Sequence, residues 1–230
     1  MLQATIQHHP KRTRYLELLI NSLKSELEHQ DRFDIVSDDV SSAVGMTKAF
    51  QTIGNADHLL VFQDDILPCL DIIATANQLI ELRPDKFISM FSAYEVVEEA
   101  LRQKKHWATI DRAYGLCAYI IPRKMVLGYL EFQHRINDQI RADDVRLSVY
   151  LSHINELIYL TAPSLVEHIC WDRSTQNHEK VNMGNIKYRL AWKYLGYEES
   201  GLSIDWTFGL KHPVGTKIGS NYDLVRHIKK

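Results

Sequence analysis

The run Leu59-Leu60-Val61-Phe62 constrains this chain more than any other feature. A strand with one face in water alternates apolar and polar residues. Four large apolar residues in a row instead describe a short strand covered on both faces. Such a strand needs helices above and below it. The preceding sequence provides them. Leu2 to Ile6 reads as a first strand, and Tyr15, Leu16, Leu19, Leu23 and Leu27 recur at helical spacing from Arg12 to about Gln30. Phe33 to Val36 is a second strand ending in Ser37-Asp38-Asp39. Val44, Ala49 and Ile53 suggest a short helix stopped by Gly54-Asn55. After the central run, Asp71 to Leu82 predicts a helix closed by Arg83-Pro84, and Phe87 to Phe91 a fourth strand. The alternation predicts an α/β fold, with a mostly parallel central sheet flanked by helices.

The second half continues less regularly. Trp107 to Ile110 and Leu116 to Ile121 read as strands separated by the turn-prone Tyr114-Gly115. Helices are expected over Arg123 to about Glu131 and Asp144 to about Ile154, and a late strand over Leu157 to Leu160. From Gly201 onward the pattern determines little. With 230 residues and neither repeat nor linker, one domain is the simplest organisation.

Composition excludes several classes. Apolar residues at 45% and charged residues at 24% are a globular mixture, not a disordered one. A formal net charge of -2 marks no surface for nucleic acid or anionic lipid as a whole. No apolar run approaches the roughly 20 residues of a membrane span, and Met1 to Pro10 lacks a signal-peptide core. Cys69, Cys117 and Cys170 are widely spaced and odd in number, which fits three buried thiols in a reducing compartment. The expectation is a cytoplasmic protein, in a host cytoplasm if the chain is viral. Phosphate-loop, dinucleotide-fingerprint, zinc-helix and nucleophile-elbow motifs are all missing.

Three polar constellations carry chemistry. The first is Gln63-Asp64-Asp65, directly after the buried strand. In open α/β sheets ligands bind beyond the carboxyl ends of the strands, and adjacent carboxylates there repel unless a cation relieves them. A magnesium or manganese ion, bound through oxygen together with substrate phosphates, would do so. Read alone, the same two acids also serve as a turn cap. The second is Asp143-Asp144, opening a helix. It is either an ordinary N-terminal cap or a pair holding a general base. The third is Pro163-Ser164-Leu165-Val166-Glu167-His168-Ile169, followed by Trp171 and Ser174, where His168 is a metal ligand or a satisfied half-buried imidazole. His8-His9 reads as a polar loop after the first strand.

Taken in order, these segments resemble the GT-A superfamily of nucleotide-sugar-dependent glycosyltransferases, of bacterial or viral type, over roughly residues 2 to 175. Gln63-Asp64-Asp65 is similar to the family's Asp-x-Asp metal motif, departing at Gln63. The resemblance implies Asp65 as metal ligand and Asp64 beside the metal waters or the sugar. Asp143-Asp144 is similar to the family's late acidic motif, which implies Asp144 as the base of an inverting transfer. The Pro163 to Ser174 stretch is similar to a late segment whose His completes the metal site, which implies His168. Cys170 stands there where Gly is usual. By position the resemblance implies Thr5, Ile6 and Arg12 at the nucleotide, Asp38 and Asp39 near its base, and Lys48 near a phosphate. Gly115 to Tyr119 would border sugar and acceptor. The nucleotide half would span about 1–105 and the acceptor half about 106–230.

The implied activity moves a sugar from a nucleoside diphosphate donor, most often a uridine one, to an acceptor hydroxyl with Mn2+ or Mg2+. Three acceptors are open: a glycan, a protein side chain, or a modified DNA base such as a hydroxymethylated pyrimidine. Lys211, His212, Lys217, Arg226, His227, Lys229 and Lys230 would suit a polyanion or simply form a solvated basic tail. A nucleotide-sugar-binding module without turnover and a divalent-metal phosphohydrolase are the alternative readings.

Overall fold

A computed structural model describes residues 1–27, 33–112, 115–169, 190–217 and 228–229. Among these the sheet strands are β1 (Leu2–His8), β2 (Phe33–Ser37), β3 (His58–Gln63), β5 (Phe87–Ser89), β6 (Trp107–Ile110), β7 (Ala118–Pro122), β8 (Ile158–Thr161) and β10 (Val214–Gly215). They lie in the order β10-β6-β8-β5-β7-β3-β1-β2. Helices α1 (Thr13–Leu27), α2 (Ser42–Gln51), α3 (Ile72–Leu82), α4 (Val96–Arg102), α5 (Arg123–Phe132) and α6 (Asp143–His153) cover both faces. Two short strands, β4 (Ile66–Pro68) and β9 (Val166–His168), pair antiparallel as a separate ribbon.

The expected α/β architecture with a mostly parallel sheet is present. β1 pairs parallel with β2 and β3, β5 with β8, and β6 with β10. Three pairs are antiparallel: β7 runs against both β3 and β5, and β6 against β8. Pleating sorts the central run into two cores, because successive side chains point to opposite faces. Leu59 and Val61 pack with α2, α4, α5 and α6, around Met46, Phe50, Val97, Val126 and Leu151. Leu60 and Phe62 pack with α1 and α3, around Leu19, Leu23, Ile72 and Leu79. All four run residues have no exposed surface. β1 is less uniform: Ala4 and Ile6 join the α1–α3 core, while Gln3, Thr5 and Gln7 occupy the intervening positions as buried polar groups.

Local chemistry fixes the helix starts. The Ser41 hydroxyl accepts the Val44 N–H at the head of α2. α3 has no such cap, since Asp71 lies in the left-handed region at φ 55 and makes no side-chain cap bond. The Glu26 carboxylate reaches across from α1 instead and accepts the N–H groups of Ile72, Ile73 and Ala74 at 3.0, 2.7 and 3.3 Å. It satisfies three donors that the helix cannot satisfy itself.

Residues 190–210 form a strap that packs on the α1–α3 core through Tyr194, Leu195, Ile204, Trp206 and Leu210. Ser164 donates to Lys193 and accepts from Leu195, both through the backbone. Trp206 is 1% exposed and packs edge-on against Trp107, whose indole N–H donates to the Trp206 carbonyl at 2.7 Å. The Arg83 guanidinium lies over the Trp107 and Tyr159 rings and donates to the Leu210 carbonyl. Gly201 presses the strap onto α3. A Cβ there would stand 2.5 Å from Thr75 Oγ1 and 2.8 Å from its Cγ2. Thr75 is fully buried and, being β-branched, has few rotamers to move to in a helix. Gly201→Ala is therefore expected to cost about 1–3 kcal/mol, the ordinary penalty of overpacking. Urea unfolding of both chains measures it.

Several elements differ from the sequence reading. α4 was not foreseen. The seventh strand begins at Ala118, not Leu116, because Leu116 and Cys117 belong to the approach loop. Phe33 to Ser37 lies at the sheet edge, with Asp34, Ile35 and Ser37 exposed. Cys69 and Cys117 are buried free thiols, whereas Cys170 lies outside the described residues. Among the described residues no helix is long and apolar enough to cross a membrane.

Candidate functional site

The chain leaves β1 to build β2 on one side, then returns across it to build β3 on the other. That reversal opens a crevice beyond the carboxyl ends of β1 and β3, the place where open α/β sheets take ligands. Three further elements converge on it. The loop before β7 arrives because Gln63 donates its backbone N–H to the Cys117 carbonyl at 2.8 Å. The start of α6 is tied to the start of α2 by the Ala43 N–H on the Arg141 carbonyl at 3.1 Å. β9 arrives beside β4, with the Ile169 N–H on the Asp65 carbonyl at 2.9 Å.

Asp64 and Asp65 are both essentially without solvent exposure. Asp65 Oδ2 meets Arg12 Nη1 at 2.6 Å and His168 Nε2 at 3.0 Å. Its other oxygen, Oδ1, is buried and has no hydrogen-bond partner among the described residues. Asp64 Oδ2 accepts the His9 backbone N–H at 2.7 Å and lies 2.8 Å from His8 Nδ1. Its Oδ1 accepts from Arg12 Nη1 at 3.0 Å. One guanidinium nitrogen thus bridges two adjacent carboxylates. The two acids titrate apart. Burial pushes Asp65 up, but His168 and Arg12 outweigh it and hold the carboxyl below its usual range. For Asp64 burial and then the Asp65 charge prevail, and its pKa is raised despite Arg12. His9 is lowered by burial and by Arg12.

Across the crevice stand Asp143 and Asp144. Gln63 Nε2 donates to Asp143 Oδ2 at 3.0 Å, and the Asp144 N–H donates to Asp143 Oδ1 at 2.9 Å. The Asp143 N–H donates in turn to the Ser42 hydroxyl at 3.1 Å. Asp144 accepts the Val145 N–H at 2.7 Å on one oxygen and the Gly115 N–H at 3.0 Å on the other. Gly115 sits at φ 74, a left-handed conformation that favours glycine, against the Phe91 ring. Asp143 is 4% exposed, and Asp144 is only half-buried. Burial and then the neighbouring Asp144 charge push Asp143 up to about 6, and burial raises Asp144 as well.

The remaining candidates divide. Arg12 stands in the crevice. Thr5 is fully buried against α2, its hydroxyl 2.7 Å from that of Thr52, and Ile6 lies in the opposite core. Neither side chain reaches the crevice, because both precede the strand end. Lys48 Nζ pairs with Asp38 Oδ2 at 2.6 Å and donates to the Ser37 carbonyl at 3.1 Å. Asp38 Oδ1 accepts the N–H groups of Val40 and Ser41, so Lys48 and Asp38 together shape the turn into α2. Asp39 is exposed beside them. The His8-His9 pair is no mere loop: His8 is 8% exposed and touches Asp64. Its signal was its place, immediately after a buried strand at the ligand-binding edge. Of the basic tail, Arg226, His227 and Lys230 lie outside the described residues, as do Trp171 and Ser174.

Chemically, Asp65 and His168 offer an ionised carboxylate and an imidazole 3.0 Å apart. An orphaned buried carboxylate oxygen is costly unless something completes it. A divalent cation at Asp65 Oδ1 would meet that need, but among the described residues no group of three or more His, Cys, Asp or Glu is placed to hold one, so phosphate or water oxygens would have to complete its shell. Arg12 competes for the same negative charge.

No protein-family model and no curated protein matches the sequence. Several solved structures resemble the fold remotely. The A197 protein from STIV shares 13% identity at a TM-score of 0.49, over 86% of this chain and 97% of that one. A UDP-glucose pyrophosphorylase complexed with UDP-glucose shares 13% at 0.41, over 70% of this chain and 72% of that one. A putative glucose-1-phosphate thymidylyltransferase from Bacillus anthracis shares 9% at 0.43, over 73% and 89%. These are similarities of overall shape, and the fold assignment rests on the strand order given above.

Proposed function

We propose that this chain is a metal-dependent glycosyltransferase of GT-A type, using a nucleoside diphosphate sugar. The observation that carries the reading is the meeting of Asp65 and His168, 103 positions apart in the sequence, at 3.0 Å in the crevice at the strand reversal. The donor's diphosphate faces Asp65, His168 and Arg12, while its nucleoside lies toward the ends of β1 and β2 near Asp38 and Asp39. The sugar faces Asp143, Asp144 and Gly115.

Asp65 and His168 would hold Mn2+ or Mg2+. Bound there, the cation supplies charge neutralisation for the departing diphosphate. The chain's own residues do the rest. Arg12 adds a fixed positive charge beside the phosphates. Asp144, partly buried and anchored by two backbone N–H groups, takes the proton from the acceptor hydroxyl. The acceptor oxygen forms its bond to the anomeric carbon as the bond to the diphosphate oxygen breaks, and that electron pair leaves with the diphosphate. In a retaining reaction Asp144 would instead position the sugar. Gln63, donating to Asp143, stands where a further acid would add repulsion to an already crowded pair.

The Arg12 bridge favours one second reading, a nucleotide-sugar-binding module that needs no metal. A thermal-shift panel of nucleotide sugars, with and without manganese, separates the two. A ligand that binds only the folded state raises apparent stability by RT ln(1 + [L]/Kd), which is about 2.7 kcal/mol at a hundredfold excess over Kd. The transferase reading expects a shift that manganese enlarges, together with slow release of sugar from the donor. A shift indifferent to manganese and without turnover selects the binding module. Release of sugar phosphate selects a phosphohydrolase, and no shift with any nucleotide sugar defeats all three.

A further inference from the structure

We propose that Glu167 is a positioning residue for His168, fastening this candidate metal ligand to the strap. This rests on the cation reading above and names the side chain that sets its geometry. Among the described residues no third His, Cys, Asp or Glu joins Asp65 and His168 as a possible ligand. A set that small tolerates little misplacement, since a binding site works only while supporting contacts hold its first contacts in place. Asp65 lies two residues beyond β3, which runs between β7 and β1 in the large sheet, and it is held by Arg12. His168 has no such foundation. It ends β9, a three-residue strand whose partner β4 also has three residues. Two strands alone are marginal in water, so the ribbon needs outside support.

The backbone pattern shows where support is needed. Ile169 donates its N–H across the ribbon to the Asp65 carbonyl at 2.9 Å. Successive N–H groups of a strand point to opposite edges, so the His168 N–H faces away from β4. His168 is buried, and a buried N–H requires a partner. Glu167 Oε1 accepts it at 2.8 Å, and the same oxygen accepts the Ala191 N–H at 2.8 Å. Glu167 is half-buried between the buried Val166 and His168, and its side chain lies on the opposite face of the ribbon from theirs. Ala191 belongs to the strap, 24 positions later. The strap is fixed by its own contacts. The Trp192 N–H donates to the Ser92 carbonyl at 2.8 Å and the Leu195 N–H to the Ser164 carbonyl at 2.9 Å, while Tyr194 and Leu195 pack on the α1–α3 core. One carboxylate oxygen therefore sets the spacing between a fixed strap and the backbone of His168. The role needs an acceptor and not a charge, and an amide oxygen also accepts two hydrogen bonds.

The test counts free Mn2+ by electron paramagnetic resonance in titrations of the full chain with saturating UDP. Glu167→Ala should need about 10- to 100-fold more manganese for half-saturation, the usual cost of losing a residue that orients a metal ligand. Glu167→Gln, which keeps the acceptor, should bind as the native chain does. Glu167→Asp, one methylene shorter, reaches the adjacent N–H but not Ala191. It should fall between the two, and it carries the test if the alanine variant does not fold. The His168 ring signals in NMR spectra, identified by their loss in His168→Gln, read the same geometry without metal. They should shift in Glu167→Ala and stay in place in Glu167→Gln. A Glu167 that only stabilises the strap would lower the melting temperature of its variants while leaving manganese affinity and ring signals unchanged. That result overturns the positioning role and leaves the metal reading standing. A glutamine variant as impaired as the alanine one also overturns it. Ring signals that move in Glu167→Ala, in a chain that binds no manganese in any form, overturn the metal reading and leave the positioning role.

Discussion

Replacing Asp65 by Asn or Ala is expected to abolish metal-stimulated release of sugar from the donor, by about 10²- to 10³-fold in kcat. The estimate follows from the role assigned to the cation: several kcal/mol of leaving-group stabilisation, at about 1.4 kcal/mol per factor of ten. Asp65 Oδ1 is the buried acceptor that a cation would complete, and Oδ2 is already shared by Arg12 and His168. Asn keeps the volume but surrenders the negative charge. Ala also removes one of the two carboxylates that Arg12 bridges, leaving Asp64 as its partner, and empties a buried site. Asp65→Asn is thus the cleaner reading of chemistry, with melting temperature as the control. His168→Gln provides an independent arm, because it leaves the Arg12–Asp65 contact in place. It should raise the manganese concentration needed for half-maximal rate and cost less stability than Asp65→Ala. A folded Asp65→Asn chain with undiminished metal-dependent turnover would remove the cation from this crevice.

How much of this was legible in the sequence differs from element to element. The Leu59 to Phe62 run identified a doubly covered strand because continuous burial leaves a continuous apolar signature. The helices over Thr13–Leu27, Ile72–Leu82 and Arg123–Phe132 were legible because each buries one stripe at 3.6-residue spacing. α4 was not, since Val96–Arg102 is barely two turns long and offers too few repeats for a period. The ribbon of β4 and β9 was hidden for a similar reason. Ile66–Pro68 has three residues, and its partner lies a hundred positions away. The antiparallel insertion of β7 between β3 and β5 has no local signature, since a strand covered on both faces reads the same in either direction.

The candidate site shows the same division. Asp64 and Asp65 stood out because two acids after a buried strand conflict with their surroundings unless something offsets them. What offsets them was not legible. Arg12 lies 52 residues before Asp64, and Gln63 finds Asp143 80 residues later. Contacts of that span depend on how β1, β3 and α6 converge, which no local pattern states. His8 was passed over because its role depends on Asp64 lying opposite the end of β1, a matter of register. Thr5 and Ile6 erred the other way. Their positions within β1 bury the side chains before the chain reaches the crevice.

Asp144→Asn is expected to lower kcat for glycosyl transfer by about 10²- to 10⁴-fold, the usual worth of a general base. Most of the donor's thermal shift should survive, because the diphosphate faces Asp65, His168 and Arg12 rather than Asp144. The pH dependence of the native chain carries the sign. A base works only when ionised, and burial raises the pKa of Asp144 while Asp143 is pushed up to about 6 by burial and by Asp144. The two titrate as a coupled pair. kcat/KM should therefore be flat at alkaline pH and fall tenfold per unit once the pH drops below the raised pKa of Asp144. Asp144 ionises first, beside a still protonated Asp143, and its charge then raises Asp143. Asp143→Asn, which keeps that neighbour neutral, should leave the acid limb in place while retaining far more activity than Asp144→Asn. It also sets an amide against the donor Gln63 Nε2, so a moderate loss of stability accompanies it. An acid limb that disappears in Asp143→Asn, or one that survives in the residual rate of Asp144→Asn, would assign the proton transfer to another group.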